Sequence, residues 1–447
     1  MGFKIGVCGL GFGGFFAELF HHHPDVEEVI VTDFLKDRVE KMAREHGITK
    51  SVESLDDLIT SDVDAIGIFT QRWAHAPLAI KALRAGKHVY SAVPAAVTLE
   101  ELDELVKTVE ETGLTYMLGE TSYYRPPVIY CRQRFARGDF GRFVYGEGQY
   151  HHDMSRFYRP YKASNGTEWK RYASFPPMFY PTHSISHILS VTFRRMTEVS
   201  CFGFVDSHRD GVFSKELSAW GNTFSNEIGL FRTSDGGTAR IGEFRRTGAG
   251  ESRVSIIGTK AAYEEQPSFH LPKHCYEAWR KGIAYPGGDS LGVFCKHTVT
   301  AEGADGEYDY ENSYKGIVME VEDLSSLHQL SGVIIDKARQ GNLPDEYLGR
   351  RHDQTCWIHA VERLPKEFVG LHNGHAGSHQ FLVCDFIEAL KSGALPPNHV
   401  WAAARYNAPG IVAHESAIRD GELMKIPDFG MPPADANLID PLARLLP

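Results

Sequence analysis

The sequence has no apolar run long enough to span a bilayer, no CxxC pair among its seven cysteines, and no basic block or stripe. Each absence excludes a class of function. A membrane-spanning helix needs about 20 consecutive apolar residues. Nucleic-acid phosphates need clustered Lys and Arg, whereas the formal net charge here is -11. Neither nucleic acid nor membrane is expected as a partner. Disulfide frames and zinc sites need regularly spaced cysteines. Cys8, Cys131, Cys201, Cys275, Cys295, Cys356 and Cys384 are scattered and read as reduced, mostly buried thiols. The N-terminus shows no signal-peptide pattern, because residues 1–8 run straight into a strand-like alternation. A cytoplasmic location is the expectation. There is no internal repeat and no low-complexity tract.

What is present is an ordinary globular composition, 42% hydrophobic and 23% charged, over 447 residues. That length exceeds one ordinary core, so two domains are expected, 1–121 and 122–447. The first alternates short apolar runs (4–8, 28–32, 65–70, 88–93, 115–119) with amphipathic stretches at 35–47, 77–86 and 99–113. Gly47, Gly86 and Gly113 stand where helices would end. This rhythm predicts a parallel sheet with helices on both faces. Beyond Glu120 the rhythm breaks. Segments 217–233, 237–245 and 253–257 read as successive antiparallel strands, with turns at 235–237 and 248–250. Residues 376–393 and 398–422 read as helices, and the tail from Pro427 as extended over the surface. The stretch 265–315 carries no assignable pattern. The expected class is α/β: an N-terminal Rossmann domain plus a C-terminal α+β domain with an open, mainly antiparallel sheet.

Gly9-Leu10-Gly11-Phe12-Gly13-Gly14 fits GxGxxG between the first strand and a helix. Gly9 permits the tight turn, Gly11 lets backbone approach a pyrophosphate, and Gly14 is expected to bring helix and strand close. The helix N-terminus supplies unpaired amides for phosphate. Asp33 ends the second strand, where a carboxylate accepts ribose hydroxyls and repels a 2'-phosphate. The expected cofactor is NAD. A cap for the next helix is the plainer reading of Asp33. Arg38 either softens the NAD preference or is an ordinary exposed helix residue. His21–His23 end the first helix before Pro24 and read as a polar helix end.

At Ala82-Leu83-Arg84-Ala85-Gly86-Lys87-His88-Val89 the chain resembles the glucose-fructose oxidoreductase, inositol dehydrogenase and MocA superfamily. There the next strand ends in a Glu-Lys-Pro signature beside the nicotinamide. This chain reads Ala92-Val93-Pro94, without the lysine that many family dehydrogenases use for proton transfer. The stretch Val93–Glu101 resembles instead glycoside hydrolase family 109, NAD-dependent glycosidases acting on α-N-acetylgalactosaminides. Glu120 with Tyr123, Tyr124 and Arg125 resembles that family's Glu-Asn-Cys-Cys-Tyr run. Gly146-Glu147-Gly148-Gln149-Tyr150-His151-His152-Asp153 resembles its Gly-Glu-Gly-x-Tyr-x-His-Asp, and Tyr180-Pro181-Thr182-His183 repeats its Tyr-Pro-Thr-His. Trp73-Ala74-His75-Ala76-Pro77, Gly374-His375-Ala376-Gly377 and Ile426-Pro427-Asp428-Phe429 are weaker matches.

The resemblance implies a substrate site of Glu120, Tyr150, Tyr180 and His183, with His183, Tyr180 and Tyr150 catalytic. Expected cofactor contacts are Gly9, Gly11, Phe12, Gly14, Asp33, Arg38, Thr70, Trp73, His75, Ala92, Pro94 and Glu120. On their own terms, Glu120 lies at the carboxyl end of a parallel strand, where ligands of such sheets bind. Imidazole suits acid–base work near neutrality, and phenols stack on sugars and bond their hydroxyls. Core packing for the tyrosines and a satisfied structural role for the histidine are the plain alternatives. His151, His152 and Asp153, and His183 with His187 one turn on, invite a metal. No HExxH accompanies them and none is expected.

The implied activity is redox-neutral glycoside cleavage: oxidation at sugar C3, elimination across C1–C2, water addition and reduction. The rival readings are a net NAD-dependent sugar or cyclitol dehydrogenase and a non-catalytic NAD-binding protein. A sugar or glycoside is the expected partner, in a homodimer or homotetramer. Arg72 and Lys170 hint at an anionic sugar, a surface charge being the more ordinary role of each.

Overall fold

The computed structural model describes residues 2–247, 251–265, 294–300, 317–323, 352–356 and 358–447. Most of 265–370 and the expected turn at 248–250 lie outside them.

Strands β1 (Phe3–Cys8), β2 (Val26–Thr32), β3 (Ala65–Ile68), β4 (His88–Ser91) and β5 (Tyr116–Leu118) form one parallel sheet in the order β2-β1-β3-β4-β5. Helices α1 (Leu10–His22), α2 (Lys36–His46), α3 (Leu55–Thr60), α4 (His75–Arg84) and α5 (Leu99–Thr112) alternate with them. The boundaries follow local chemistry. The Thr98 side chain accepts from the Glu101 amide while the Glu101 carboxylate reaches back, closing a capping box on α5. Gly47 and Gly113 end α2 and α5 in the left-handed region, as their positions predicted.

The second unit contains α6 (Pro126–Ala136), β6 (Phe143–His151), α7 (Tyr158–Asn165), α8 (Trp169–Ala173), α9 (Thr182–Thr192), β7 (Met196–Val205), β8 (Phe224–Thr233), β9 (Thr238–Phe244), β10 (Glu251–Gly258) and β11 (Ala261–Glu265). It continues through β12 (Phe294–Thr300), β13 (Ile317–Asp323), α10 (Gly374–Ser392), α11 (Val400–Ile418) and β14 (Met424–Lys425). Its sheet runs β13-β12-β11-β10-β6-β9-β8-β7-β14. All pairings are antiparallel except β6 with β9.

Two expectations are corrected here. The strands at 237–245 and 253–257 are not neighbours, because β6 lies between them, parallel to one and antiparallel to the other. β6 contains Gly-Glu-Gly-Gln and so shows no apolar alternation by which to find it. The strand expected from residue 217 begins only at Phe224. The preceding residues turn through Gly221, whose φ is 63°, and Leu217 is exposed.

The chain's far end closes over its beginning. His399, before α11, bridges to Met117 of β5, and the Asn407 amide bonds both N and O of Ala96. His379 of α10 packs its ring 4.7 Å from Phe16 of α1. One apolar core therefore runs through both sheets. Phe202 and Phe204 of β7 and Ile228 and Leu230 of β8 remain exposed on the outer face of the second sheet.

Candidate active site

Gly9, Asp33, Thr70, Ala92 and Glu120 each lie within two residues of the carboxyl end of β1, β2, β3, β4 or β5. Ligands of parallel sheets bind along this rim. Gly9 has φ 91°, and a Cβ there would sit 2.5 Å from the Phe69 carbonyl oxygen. α1 begins directly after it without a cap from the Gly9 position; Asp33 takes the Leu10 amide, and the next amides of the first turn are left for an anion. The glycine that lets α1 approach the sheet is Gly13, not Gly14. A Cβ on Gly13 would meet the Phe69 ring at 2.7 Å, whereas one on Gly14 makes ordinary contact with Met42 at 3.5 Å. The helix is rotated one residue from the spacing-based expectation.

Asp33 Oδ2 accepts from the Leu10 amide at 2.6 Å and from Arg38 Nη1 at 3.2 Å, while Oδ1 accepts from the Leu35 amide at 2.8 Å. It thus fastens the glycine loop to the start of α2. Arg38 lies beside Gly11, with Nη1 3.2 Å from where a Cβ would stand. Phe12 is partly exposed and packs edge-on to Phe16, Phe69, His375 and His379. Thr70 Oγ1 is buried without a partner. An open amide cradle and an orphaned hydroxyl on one rim fit a dinucleotide.

His75 lies behind this rim. Its Nδ1 is 2.8 Å from the Pro94 carbonyl and its Nε2 is 3.2 Å from the Thr70 carbonyl. Burial pushes its pKa down to about 4, so the ring is neutral and ties the ends of β3 and β4 together. Trp73 lies face to face with Tyr172 at 4.6 Å, joining the rim to α8.

Strand β6 supplies the other wall. Its period of two puts Gly146, Gly148 and Tyr150 on one face. A Cβ on Gly148 would fall 2.0 Å from the Ser184 carbonyl oxygen, so α9 lies directly on the strand. That contact sets His183, in the first turn of α9, 4.7 Å from the Tyr150 ring. The Tyr180 ring is 5.2 Å from His183 and 6.2 Å from Tyr150. The segment carrying Tyr180 is anchored by the Met178 amide, which donates to Glu227 at 2.8 Å. Gly410 of α11 lets that segment approach, since a Cβ there would lie 2.2 Å from the Met178 carbonyl oxygen.

The structure brings Glu120, Tyr150, Tyr180 and His183 together. Glu120 has no exposed surface and stands behind the imidazole, with Oε1 2.6 Å from His183 Nδ1 and 2.8 Å from the Ser122 amide. Burial would raise its pKa, but the imidazole and these bonds hold the carboxyl below the ordinary range. A carboxylate on Nδ1 assigns the proton to that nitrogen and leaves the Nε2 lone pair as the acceptor. Tyr150 and Tyr180 are both shifted upward by burial, so each is a neutral phenol able to donate.

Two guanidiniums border these phenols. Arg72 is not a plain surface charge. It is partly buried, with Cζ 4.5 Å from the Tyr180 ring centre and Nη1 donating to Tyr161 at 2.8 Å. Lys170 donates to the Asp210 carbonyl. Arg245 is buried, with Cζ 5.2 Å from the Tyr150 ring and 5.0 Å from the Tyr180 ring. Its Nη2 donates to Glu243 at 2.6 Å. Glu243 lies opposite Tyr150 in the β6–β9 register and accepts from Ser184. Burial, opposed by Arg245 and Ser184, pushes its pKa up to about 8. Arg245 and Glu243 escaped the sequence reading because only the parallel β6–β9 pairing connects residue 243 with residue 150.

The two histidine groups go to other partners. His151 stacks on Phe244 at 4.0 Å, His152 stacks on Tyr150 at 5.3 Å, and Asp153 accepts from the Ser155 amide. His187 Nε2 meets Arg125 Nη1 at 3.0 Å, away from His183's bond to Glu120. Among the described residues no three His, Cys, Asp or Glu side chains form a metal-holding group.

Residues 3–120 match the family model described as an oxidoreductase family with an NAD-binding Rossmann fold. A glycosyl hydrolase family 109 protein of Solibacter usitatus is 24% identical over 95% of this chain and 88% of its own length. An α-N-acetylgalactosaminidase of Bacteroides fragilis is 33% identical over 29% of this chain and 32% of its own. The solved scyllo-inositol dehydrogenase of Lactobacillus casei, with bound NAD(H) and scyllo-inositol, superimposes with a TM-score of 0.60. It is 15% identical over 95% of this chain and 99% of that one, and so shares the fold. With the parallel-sheet rim, the glycine loop and the family match in agreement, residues 3–120 form the NAD-binding Rossmann domain of an oxidoreductase-family enzyme.

Proposed function

We propose that this enzyme is a redox-neutral glycosidase, acting on α-N-acetylgalactosaminides or a related sugar. The observation that carries the reading is the buried Glu120–His183 pair set between two neutral phenols, with Val93 where dehydrogenases of the superfamily commonly carry lysine. The relatives named as family 109 glycosyl hydrolases and as an α-N-acetylgalactosaminidase support it.

The cofactor would be held by the amides after Gly9, by Asp33 and by the rim residues Thr70, Ala92 and Pro94, where it supplies reversible two-electron oxidation. The protein's work is proton transfer and placement. His183 Nε2 accepts the proton of the C3 hydroxyl as that carbon becomes a ketone, and Glu120 stabilises the imidazolium. Tyr180 donates to the C3 oxygen, which gains charge as the C2 proton passes to solvent water, the same pool that returns a proton to C2 when water adds. Tyr150 donates to the departing C1 oxygen, a role suited to a phenol that burial keeps protonated. No pair of carboxylates flanking the glycosidic bond is needed, unlike in ordinary glycosidases.

Turnover in deuterium oxide tests this directly. The reading expects product labelled at C2, and unlabelled product overturns elimination. Net sugar or cyclitol oxidation is the second reading, favoured by the same base and by the fold shared with inositol dehydrogenase. Stoichiometric NADH would identify it. Subunit pairing through the exposed Phe202, Phe204, Ile228 and Leu230 face, and a cytoplasmic location, complete the proposal.

A further inference from the structure

Two guanidiniums at the site carry donors or charge that no carboxylate of the described residues meets. Glu120 Oε1 is taken by His183 and the Ser122 amide, and its Oε2 is buried without a hydrogen-bond partner. Glu243 is the carboxylate within ion-pair reach of Arg245, and burial drives it toward its neutral form. Arg72 has no carboxylate within 4.0 Å among the described residues, and its Nη1 donates to the Tyr161 hydroxyl. Arg245 is only 5% exposed, and its Nη1 is buried with no hydrogen-bond partner. A buried guanidinium N–H without an acceptor is costly, and such groups are ordinarily satisfied by protein, water or ligand.

Both guanidiniums lie against Tyr180, with Cζ at 4.5 Å and 5.0 Å from its ring centre, and Arg245 also reaches Tyr150. The aromatic faces hold the cations in place without neutralising them. The planar N–H fork of arginine matches an oxyanion with two or more acceptor oxygens. We infer that Arg72 and Arg245 are specificity residues for an anionic oxygen group on the sugar, a uronate carboxylate or a sulfate ester, held against the Tyr150–Tyr180 pair. This rests on the sugar-processing reading and narrows its substrate to acidic sugars.

The test is kcat/KM of the NAD-loaded enzyme on nitrophenyl glycosides of both anomers: neutral hexosides, N-acetylhexosaminides, hexuronides and sulfated hexosides. Charged hydrogen bonds predict that an acidic member exceeds its neutral counterpart by about 10- to 100-fold. Preference for the hexuronides identifies a carboxylate, and preference for the sulfated sugars a sulfate ester. Arg72→Met should bring the acidic-to-neutral ratio toward one, while Arg245→Lys, which keeps a cation beside Glu243, should retain part of it. Equal turnover of acidic and neutral sugars, or a ratio indifferent to both substitutions, overturns the inference while leaving glycosidase activity standing. If no glycoside is turned over, the glycosidase reading fails. Calorimetry of glucuronate, galacturonate and the sulfated sugars against the parent neutral sugars then decides the anion site alone. Equal binding of acidic and neutral forms, or no binding of either, overturns it.

Discussion

At the rim of the parallel sheet, the groups presented are backbone amides in the first turn of α1 and the carboxylate of Asp33, both held by bonds within the first 38 residues. On the face of the mixed sheet they are phenols, an imidazole and guanidiniums from five separate segments, carrying Arg72, Glu120, Tyr150, Tyr180–His183 and Arg245. The rim is made of conformation: a positive φ, a helix start and a close helix–sheet approach. The face is made of side-chain chemistry that only tertiary packing assembles. The same enzyme can therefore lose one function and keep the other, and substitutions should separate them.

The largest separation is expected from His183→Ala. Removing the base should cut turnover by about 10²–10⁴-fold. NAD affinity, read by titration of the purified protein, should stay within about threefold, since the amide cradle is untouched. Near-normal turnover would remove His183 from catalysis.

Gly148→Ala comes next. Its methyl would strike the Ser184 carbonyl, forcing α9 off β6 and His183 away from Tyr150. Overpacking of this kind costs about 1–3 kcal/mol of stability. The account expects a lower melting temperature, a large loss of turnover and retained NAD binding. Gly9→Ala should do the reverse. Strain at φ 91° and the clash with the Phe69 carbonyl should weaken NAD binding by about 10- to 100-fold, consistent with about 1–3 kcal/mol of backbone strain. If Gly9→Ala leaves NAD affinity intact, the rim assignment is wrong.

The smallest effect concerns Glu243. Its pKa rises from 4.5 to about 8 on folding. Between those values the folded protein keeps a proton that the unfolded chain has lost, so this group's contribution makes stability fall as pH rises. Glu243→Gln keeps a hydrogen-bonding group beside Ser184 and removes the titration. It should flatten the melting-temperature profile between pH 5 and pH 8 by a few degrees. An unchanged profile would show that Glu243 is already ionised at pH 5.

The rim is legible in the residues alone, and the opposite face largely is not. The rim depends on near neighbours, so a strand, GxGxxG, a helix and Asp33 at the next strand end were enough to identify it. Even there, spacing misplaced one detail: which glycine faces Phe69 depends on the rotation of α1, which no local pattern records. On the opposite face, Tyr150, Tyr180 and His183 were legible through resemblance to a family motif, not through spacing. Glu120 was found, but its place behind the imidazole was not, since burial depends on α9 crossing β6. Arg72 reads in isolation as one more exposed cation. Arg245 and Glu243 had no signal, because β6 and β9 are parallel neighbours separated by nearly 90 residues of chain. The outer sheet face shows the same limit, since Phe202 and Ile228 become one patch only through their register.

The central claim is that NAD at the rim serves the chemistry of the opposite face without being consumed. Aglycone release and NADH absorbance should be followed together, with glycoside in large excess over enzyme and added NAD. The account predicts many molecules of aglycone released per NAD and no net accumulation of NADH. One NADH formed for each sugar consumed would contradict it and make the enzyme a dehydrogenase.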